Sequence, residues 1–440
     1  MQSTRAEVER YAGTKSKYAD ELNGWGSLQL ALSPADAEAY LFSFEPYAGT
    51  DRGGAVQTPR LIPVPFDLKA LKADRKRLLE MQRRDMAGEG LSPGAVSIFD
   101  LATTSESRLG SGHVTAGKLP PGSYLLLLRA GGVEIRVPVA IGRGEKVERS
   151  YSVPAAGAIP PGFVYLAGGG AAPVGAVGGS ANAGAPAPHD MSISDALIAR
   201  EEVTMGEYAE YLKELAKKNP AEARKHYPHD FGPDNASKFL AELKGGELVP
   251  AQPDPNFLRS SARGVTLEEA RAYIAWRSAK DNLPYRLPKD WEWEIACRGA
   301  DGRNFSWGNE PGIGFAVVTQ GYGGQPGGMS WAWKDYKDES PWGAHNLAGG
   351  AAEWTGSYFK ADAAESDPVY HQFAIRGNAW ALPPVGLMCN FRTSGQPNYF
   401  HPTIGFRLAL DYPVQPGVVT LQALNEPQNE HNHAGHASHP

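Results

Sequence analysis

The sequence has 440 residues, 42% hydrophobic and 21% charged, with 51 glycines, 35 prolines, 10 tryptophans and a net charge of −6. That length suits about two to four domains, and the glycine, proline and tryptophan content points to turn-rich β or α+β structure. There is no basic footprint of a nucleic-acid binder and no apolar run of the ~18 residues a membrane helix needs, and two cysteines, Cys297 and Cys389, exclude a disulfide framework while allowing at most one bridge.

The first ten residues are polar and acidic rather than basic and then apolar, so no signal peptide is read there. The chain is expected to be cytoplasmic, or extracytoplasmic in a processed or truncated form. Residues 1–26 are expected to hold a short helix, from the weak spacing of Val8, Tyr11, Tyr18 and Leu22. Ser27 to Ser33 alternates strictly with period two, and Glu38 to Phe44 follows as a second strand. Asp67 to Met86 has high helix propensity and interrupts the strands. Its basic stretch, Lys69 to Arg84, is interleaved with Asp74 and Glu80 and reads as a solvated helix face. Strands resume near Ala95–Leu101, in Lys118–Arg129 and in Val133–Ile141. These signals fit a small β-sandwich over 27–154 with a helical insert near 67–86.

Gly168 to Pro188 is nearly all Gly, Ala, Pro, Val and Ser and reads as a flexible loop. Residues 413–440 read as a polar tail, with four histidines among the last ten residues and nothing apolar to organise them into a metal site.

Three stretches of the C-terminal half carry recognisable motifs. The first runs from Ile198 to Leu212, where Thr204 caps a helix with Tyr208, Tyr211 and Leu212 inward. The second starts with a capping box, Thr266 and Glu269, followed by the stripe Ala270, Tyr273 and Ile274. Tyr285 to Gly299 continues it, with Pro288 near the first helical turn and Asp290, Glu292 and Glu294 early in the helix, and Phe305 to Glu310 ends it. The third comprises Asn346 to Thr355, Ile375 to Trp380, Asn390 to Arg392 and Ile404 to Leu408. Together these strings resemble the formylglycine-generating-enzyme, or sulfatase-modifying-factor, family over 155–412. Leu119 to Leu125, Pro138 to Glu145 and Ala39 to Phe42 resemble the PEGA type of small β-sandwich, as at the sensor end of some bacterial membrane serine/threonine kinases, though no kinase motif is present. The resemblance implies an α+β chain: an N-terminal β-sandwich, then a modified C-type-lectin fold rich in irregular structure.

Active members of that family oxidise a substrate cysteine to an aldehyde with copper(I) held on two cysteines, soft ligands suited to that ion. The corresponding positions fall on Leu382 and Leu387, which ligate nothing. Copper is therefore not expected. Cys389 is imaginable as a lone displaced ligand, but both cysteines read as small buried apolar side chains. The family's calcium loop keeps Glu353 but has Gly350 in place of asparagine. Calcium at Glu353 is thus a lesser expectation than a bond from its carboxylate to backbone or to Arg298. Asp335, Asp338 and Glu339 read as a charged surface loop, and His345, His371 and His401 as lone loop histidines.

The main expectation is a catalytically silent lectin-like module for binding or assembly. Its candidate surface is Trp380, Leu382, Leu387, Met388, Asn390, Asn398, Tyr399 and Phe400, where aromatics mix with Asn and Pro. A protein partner or a larger complex is expected, with a small ligand as a further option and Trp331, Trp333 and Trp342 as interface anchors. No nucleic acid and no membrane span are expected. The alternative is an oxidase of the formylglycine-generating type.

Overall fold

The computed structural model describes residues 23–50, 57–86, 99, 101–176, 185–231, 237–311, 338–379 and 384–428. The expected N-terminal helix, almost all of the strand near Ala95, Trp331, Trp333, Asp335, Trp380, Leu382 and the four terminal histidines lie outside them.

The first half is built from two sheets. The strands are β1 (Gly26–Ser33), β2 (Glu38–Thr50), β3 (Gln57–Asp67), β4 (Lys72–Ala73), β5 (Arg108–Ser111), β6 (His113–Leu119), β7 (Gly122–Ala130), β8 (Val133–Ile141) and β9 (Lys146–Ser152). One sheet has the order β6-β1-β9, and the other has β4-β3-β2-β7-β8 with β5 on β2. The period-two pattern in β1 turns Leu28, Leu30 and Leu32 into the same apolar core as Leu126, Leu128 and Val137. The run Tyr124–Leu128 does not alternate because both faces of β7 are covered. Leu126 and Leu128 enter the main core, while Leu125 and Leu127 pack with Phe42 and Phe44 on the other side. Helix α1 (Arg75–Met86) starts where Asp74 Oδ1 accepts from the backbone of Lys76 and Arg77 (both 3.1 Å).

The second half has short strands and few helices. The strand β10 (Phe163–Leu166) pairs with β13 (Ala196–Ala199), which pairs with β22 (Ala409–Asp411), so the start and end of the half share one sheet. Between β10 and β13, β11 (Ala171–Val174) pairs with β12 (His189–Ser192). In the described parts of 168–188 this corrects the expectation of a flexible loop without a packed element: Ala172 and Val174 are buried, at 0% and 3% exposure. The hairpins β14 (His229–Phe231) with β15 (Ser237–Phe239) and β16 (Ala241–Lys244) with β17 (Glu247–Pro250) follow. A four-stranded sheet then has the order β20-β19-β18-β21, from β18 (Ala352–Tyr358), β19 (Phe373–Arg376), β20 (Arg392–Gly395) and β21 (Ile404–Gly405).

The helices of this half are α2 (Met205–Lys218), α3 (Pro220–Lys225), α4 (Leu267–Asp281), α5 (Asp290–Arg298) and α6 (Leu421–Asn425). Both expected caps form, Thr204 with Glu207 and Thr266 with Glu269, each a reciprocal box. The chain after Asp411 is not wholly a loose tail. Thr420 caps α6, Leu424 is buried, and the Gln428 backbone bonds to Gly356 (2.8 Å). Among the described residues no helix is long and apolar enough to cross a membrane.

The halves meet through specific contacts. Arg136 Nη1 donates to Glu339 Oε1 (2.6 Å), the Leu61 amide donates to the Trp307 carbonyl (2.7 Å), and the Arg303 guanidinium lies 4.3 Å from the Phe44 ring centroid.

Candidate functional site

The two cysteines come from α5 and from the segment after a 3-10 turn, Pro384–Leu387. They are joined as a Cys297–Cys389 disulfide, and both are fully buried. They are buried as expected, form the one bridge that two cysteines allow, and leave neither sulfur free to serve as a lone ligand. Leu387 is buried at 1% exposure in a cluster with Phe305, Trp307 and Ala348, the two rings stacked 5.1 Å apart. At this position the chain offers hydrocarbon, and the neighbouring Met388 packs on the same cluster.

Helix α5 is buried all round although it carries three acids, which is tolerable only because each is paired. Arg376 bonds to Asp290 and to Glu294 (2.9 Å), Arg392 to Asp290 (2.9 Å), Arg298 to Glu294 (2.8 Å), and Arg286 to Glu292 through two bonds of 2.7 and 2.8 Å. The recurrent arginines of the motifs are thus structural counter-charges. The glycine-rich segment is tied into the same lattice. The Gly175 amide donates to Glu294 (2.7 Å), and its carbonyl accepts from Arg298 (3.1 Å) and Asn390 (3.3 Å).

Glu353 on β18 is fully buried and takes two bonds of 2.7 Å from Arg407 and one of 2.9 Å from Trp293 Nε1. Its partner is therefore Arg407, not the Arg298 expected. Beside it, Glu202 accepts from Ser261 (2.6 Å) and the Ala351 amide (2.9 Å). Gly350 adopts φ +85°, and a Cβ there would come within 2.9 Å of Glu202 Oε1, so the packed carboxylate accounts for glycine at this position. Burial first, and then the charge of Glu353, push the Glu202 carboxyl up to about 8.

A second charged cluster lies at the junction with β8. His345 Nδ1 is 2.6 Å from Glu201, its Nε2 is 3.7 Å from Glu339, and Glu339 also holds Arg136. Asp338 and Glu339 are buried at 2% and 1% exposure, and His345 at 7%. The expected surface positions of Asp338, Glu339 and His345 are corrected: Glu339 and His345 are paired inside, and Asp338 is held by neutral donors. Burial opposes protonation of His345, but the bonds to Glu201 and Glu339 carry it up to about 9. Asp338, which accepts from Ser306 and from the Ala348 amide (2.8 Å), is pushed up to about 6 by burial.

These shifts fix a pH dependence. His345 is raised above its unfolded value, so its contribution is complete below about 6.5 and is lost as pH rises through about 9. Glu202 is also raised, so its contribution falls between about 4.5 and 8. The urea midpoint is therefore expected to fall steadily from pH 6.5 to 9, and His345→Gln is expected to flatten the upper part of that fall. A midpoint that rises over this window contradicts the assignment.

The candidate surface residues separate by burial. Leu387 and Asn390 (2% exposed) lie inside and are removed from it, as is Trp342 (2%) from the set of interface anchors. Asn398 is exposed, Tyr399 is 43% exposed, and Phe400 and Met388 are half-buried. Asn398, Tyr399 and Phe400 line an open groove of about 690 Å³ together with Phe231, Gln372, Ser394, Gly395 and Gln396. Phe231, 46% exposed, stands 5.9 Å from the Phe400 ring and 4.9 Å from that of His401. Sequence reasoning missed it, because its only signal is a single aromatic in a short polar hairpin. His371 is exposed and stacked on Tyr370 (3.9 Å), while half-buried His401 bonds Thr403 (2.6 Å). Among the described residues no three His, Cys, Asp or Glu side chains are grouped to hold a metal.

Residues 145–412, more than half of the chain, match the family model described as the sulfatase-modifying factor enzyme 1-like domain. The chain is similar to the formylglycine-generating enzyme of Mus musculus, 26% identical over 200 residues, covering 40% of this chain and 52% of the mouse protein. It is also similar to the inactive C-alpha-formylglycine-generating enzyme 2 of Bos taurus, 28% identical over 158 residues, covering 33% of this chain and 48% of that protein. The chain spans about half the length of the curated relatives it matches. Among solved structures, PvdO from Pseudomonas aeruginosa aligns over 57% of this chain and 94% of its own, at 21% identity and a TM-score of 0.42. Treponema denticola variable protein 1 aligns over 65% of this chain and 98% of its own, at 18% identity and a TM-score of 0.39.

Proposed function

Since the chain belongs to the sulfatase-modifying factor enzyme 1-like family through residues 145–412, we propose that it uses the family scaffold as a binding or assembly module and does not oxidise cysteine. The observation that carries this reading is the pairing of Cys297 with Cys389 inside the core, with Leu387 in a hydrocarbon cluster. Cysteine-held copper(I) needs free thiolates that an oxidant and a substrate can reach. The residues present do not fit that ion. Nor do those around Glu353 fit calcium, because both carboxylate oxygens already face Arg407.

In this reading the lectin-like fold presents the groove of Asn398, Tyr399, Phe400 and Phe231 to a protein partner or a small ligand. The PEGA-like β-sandwich over 27–154 is part of the same proposal, supported by two sheets that share one apolar core. Similarity to a relative named inactive is compatible with silence, and the 26% identity to the mouse enzyme keeps the oxidase as the alternative.

A copper(I) titration against a chromophoric chelator tests the proposal. Copper uptake is expected to be the same in the unmodified chain and in the Cys297→Ser/Cys389→Ser double variant. One equivalent that disappears in the double variant supports the oxidase instead.

A further inference from the structure

Beside the groove lies a second cavity of about 800 Å³, between the start of α4, the strands β18 and β19, and α6. Arg271 lines it while only 4% exposed. Among the described residues no carboxylate comes within ion-pair distance of its guanidinium, and no hydrogen bond satisfies it. Its guanidinium carbon lies over the Phe373 ring, 4.6 Å from the centroid. The other permanent cation on the cavity wall is engaged, since Lys225 lies 2.8 Å from Glu222, and the His226 ring lies 3.6 Å from the same carboxylate. Glu269 is likewise held by His229 (3.0 Å) and by its capping box. Glu268 is exposed and acts on Arg271 only through its field. Burial lowers Arg271 to about 10, which leaves it charged at neutral pH. A nearly buried guanidinium facing open volume without a counter-ion is an uncompensated charge, and an arriving anion relieves that cost.

The walls select among anions. Phe373 is buried, with Tyr358 tilted against it at 4.8 Å and His371 stacked on Tyr358 at 5.4 Å. Leu421 on α6 also lines the cavity and is 44% exposed. Among the described residues, one guanidinium without a counter-ion, a flat aromatic wall and acids on the rim suit a monoanion with an apolar body rather than a multiply charged phosphate. We infer that this cavity binds a small organic carboxylate, its head on Arg271 and its body against Phe373 and Tyr358. The inference does not depend on the absence of oxidase chemistry.

Calorimetric titration of the full chain with benzoate, and separately with inorganic phosphate, tests it. One benzoate per chain is expected, bound more tightly than phosphate. Arg271→Gln is expected to weaken benzoate at least tenfold, and Arg271→Lys by a smaller factor, because a point charge replaces a planar fork. In the unsubstituted protein, benzoate is expected to protect Arg271 from phenylglyoxal, as mapped by peptide mass spectrometry. This readout holds even where the variants fail to fold. No saturable benzoate binding, tighter binding of phosphate, or benzoate binding that leaves Arg271 as reactive as before overturns the assignment.

Discussion

Arg407→Met is expected to destabilise the protein by about 3–5 kcal/mol, a large part of the stability of a typical domain. Arg407 and Glu353 are both fully buried. Besides its two bonds to Glu353, the guanidinium donates to the carbonyls of Ala199 (3.0 Å) and His345 (2.9 Å). Methionine fills similar volume but removes every donor. Among the described residues the Glu353 carboxylate would then keep only Trp293 Nε1 as a partner, and an isolated buried charge is far costlier than the pair. The Arg407→Met/Glu353→Gln double variant is expected to regain part of the loss, because the stranded charge is gone. Urea unfolding of the two single variants and the double gives the coupling directly. A loss below about 1 kcal/mol in Arg407→Met would show that this pair does not hold the core together.

Loss of the disulfide is the second large effect. Cys297 and Cys389 are 92 residues apart in sequence. In the chain-entropy picture, closing a loop of that size contributes about 4–5 kcal/mol through the unfolded state. The bridge also ties α5, which carries the acids, to the segment that holds Leu387 and Asn390. The Cys297→Ala/Cys389→Ala variant is expected to unfold at a markedly lower urea concentration. Since both sulfurs are buried, reductant is expected to act on the native protein only as fast as it opens. An unchanged midpoint in the double variant would mean that the bridge adds nothing to stability.

Local signals were the legible part of this fold. The capping boxes at Thr204 and Thr266 are four-residue patterns, and β1 announces itself by alternation. The Thr420 cap has the same kind of signal, a hydroxyl three residues before the amide it accepts (3.2 Å), but the polar composition around it concealed the helix. What the sequence left hidden depends on distant partners. Nothing local marks Cys297 as the mate of Cys389. The glycine-rich segment reads as a loop because its own side chains cannot pack. Its described start, Ala171 to Gly175, is held by β12 and by Glu294, Arg298 and Asn390, which grip the backbone of Gly175.

The candidate site was half legible for the same reason. Tyr399 is exposed and Phe400 half-buried on the groove wall, whereas Leu387 and Asn390 turn inward to neighbours far away in sequence. The buried acids at Asp338 and Glu339 look solvated in sequence, since Arg136, which neutralises Glu339, lies 203 residues away.

The most direct measurement is turnover. The purified chain, supplied with copper(I) and oxygen, is given a peptide carrying the sulfatase-type Cys-x-Pro-x-Arg motif, and mass spectrometry follows the peptide cysteine. The account predicts that the cysteine stays unoxidised to aldehyde, with or without prior reduction of the Cys297–Cys389 bridge. Aldehyde formation that stops in Cys389→Ala would contradict it and make this chain an oxidase with a rebuilt site.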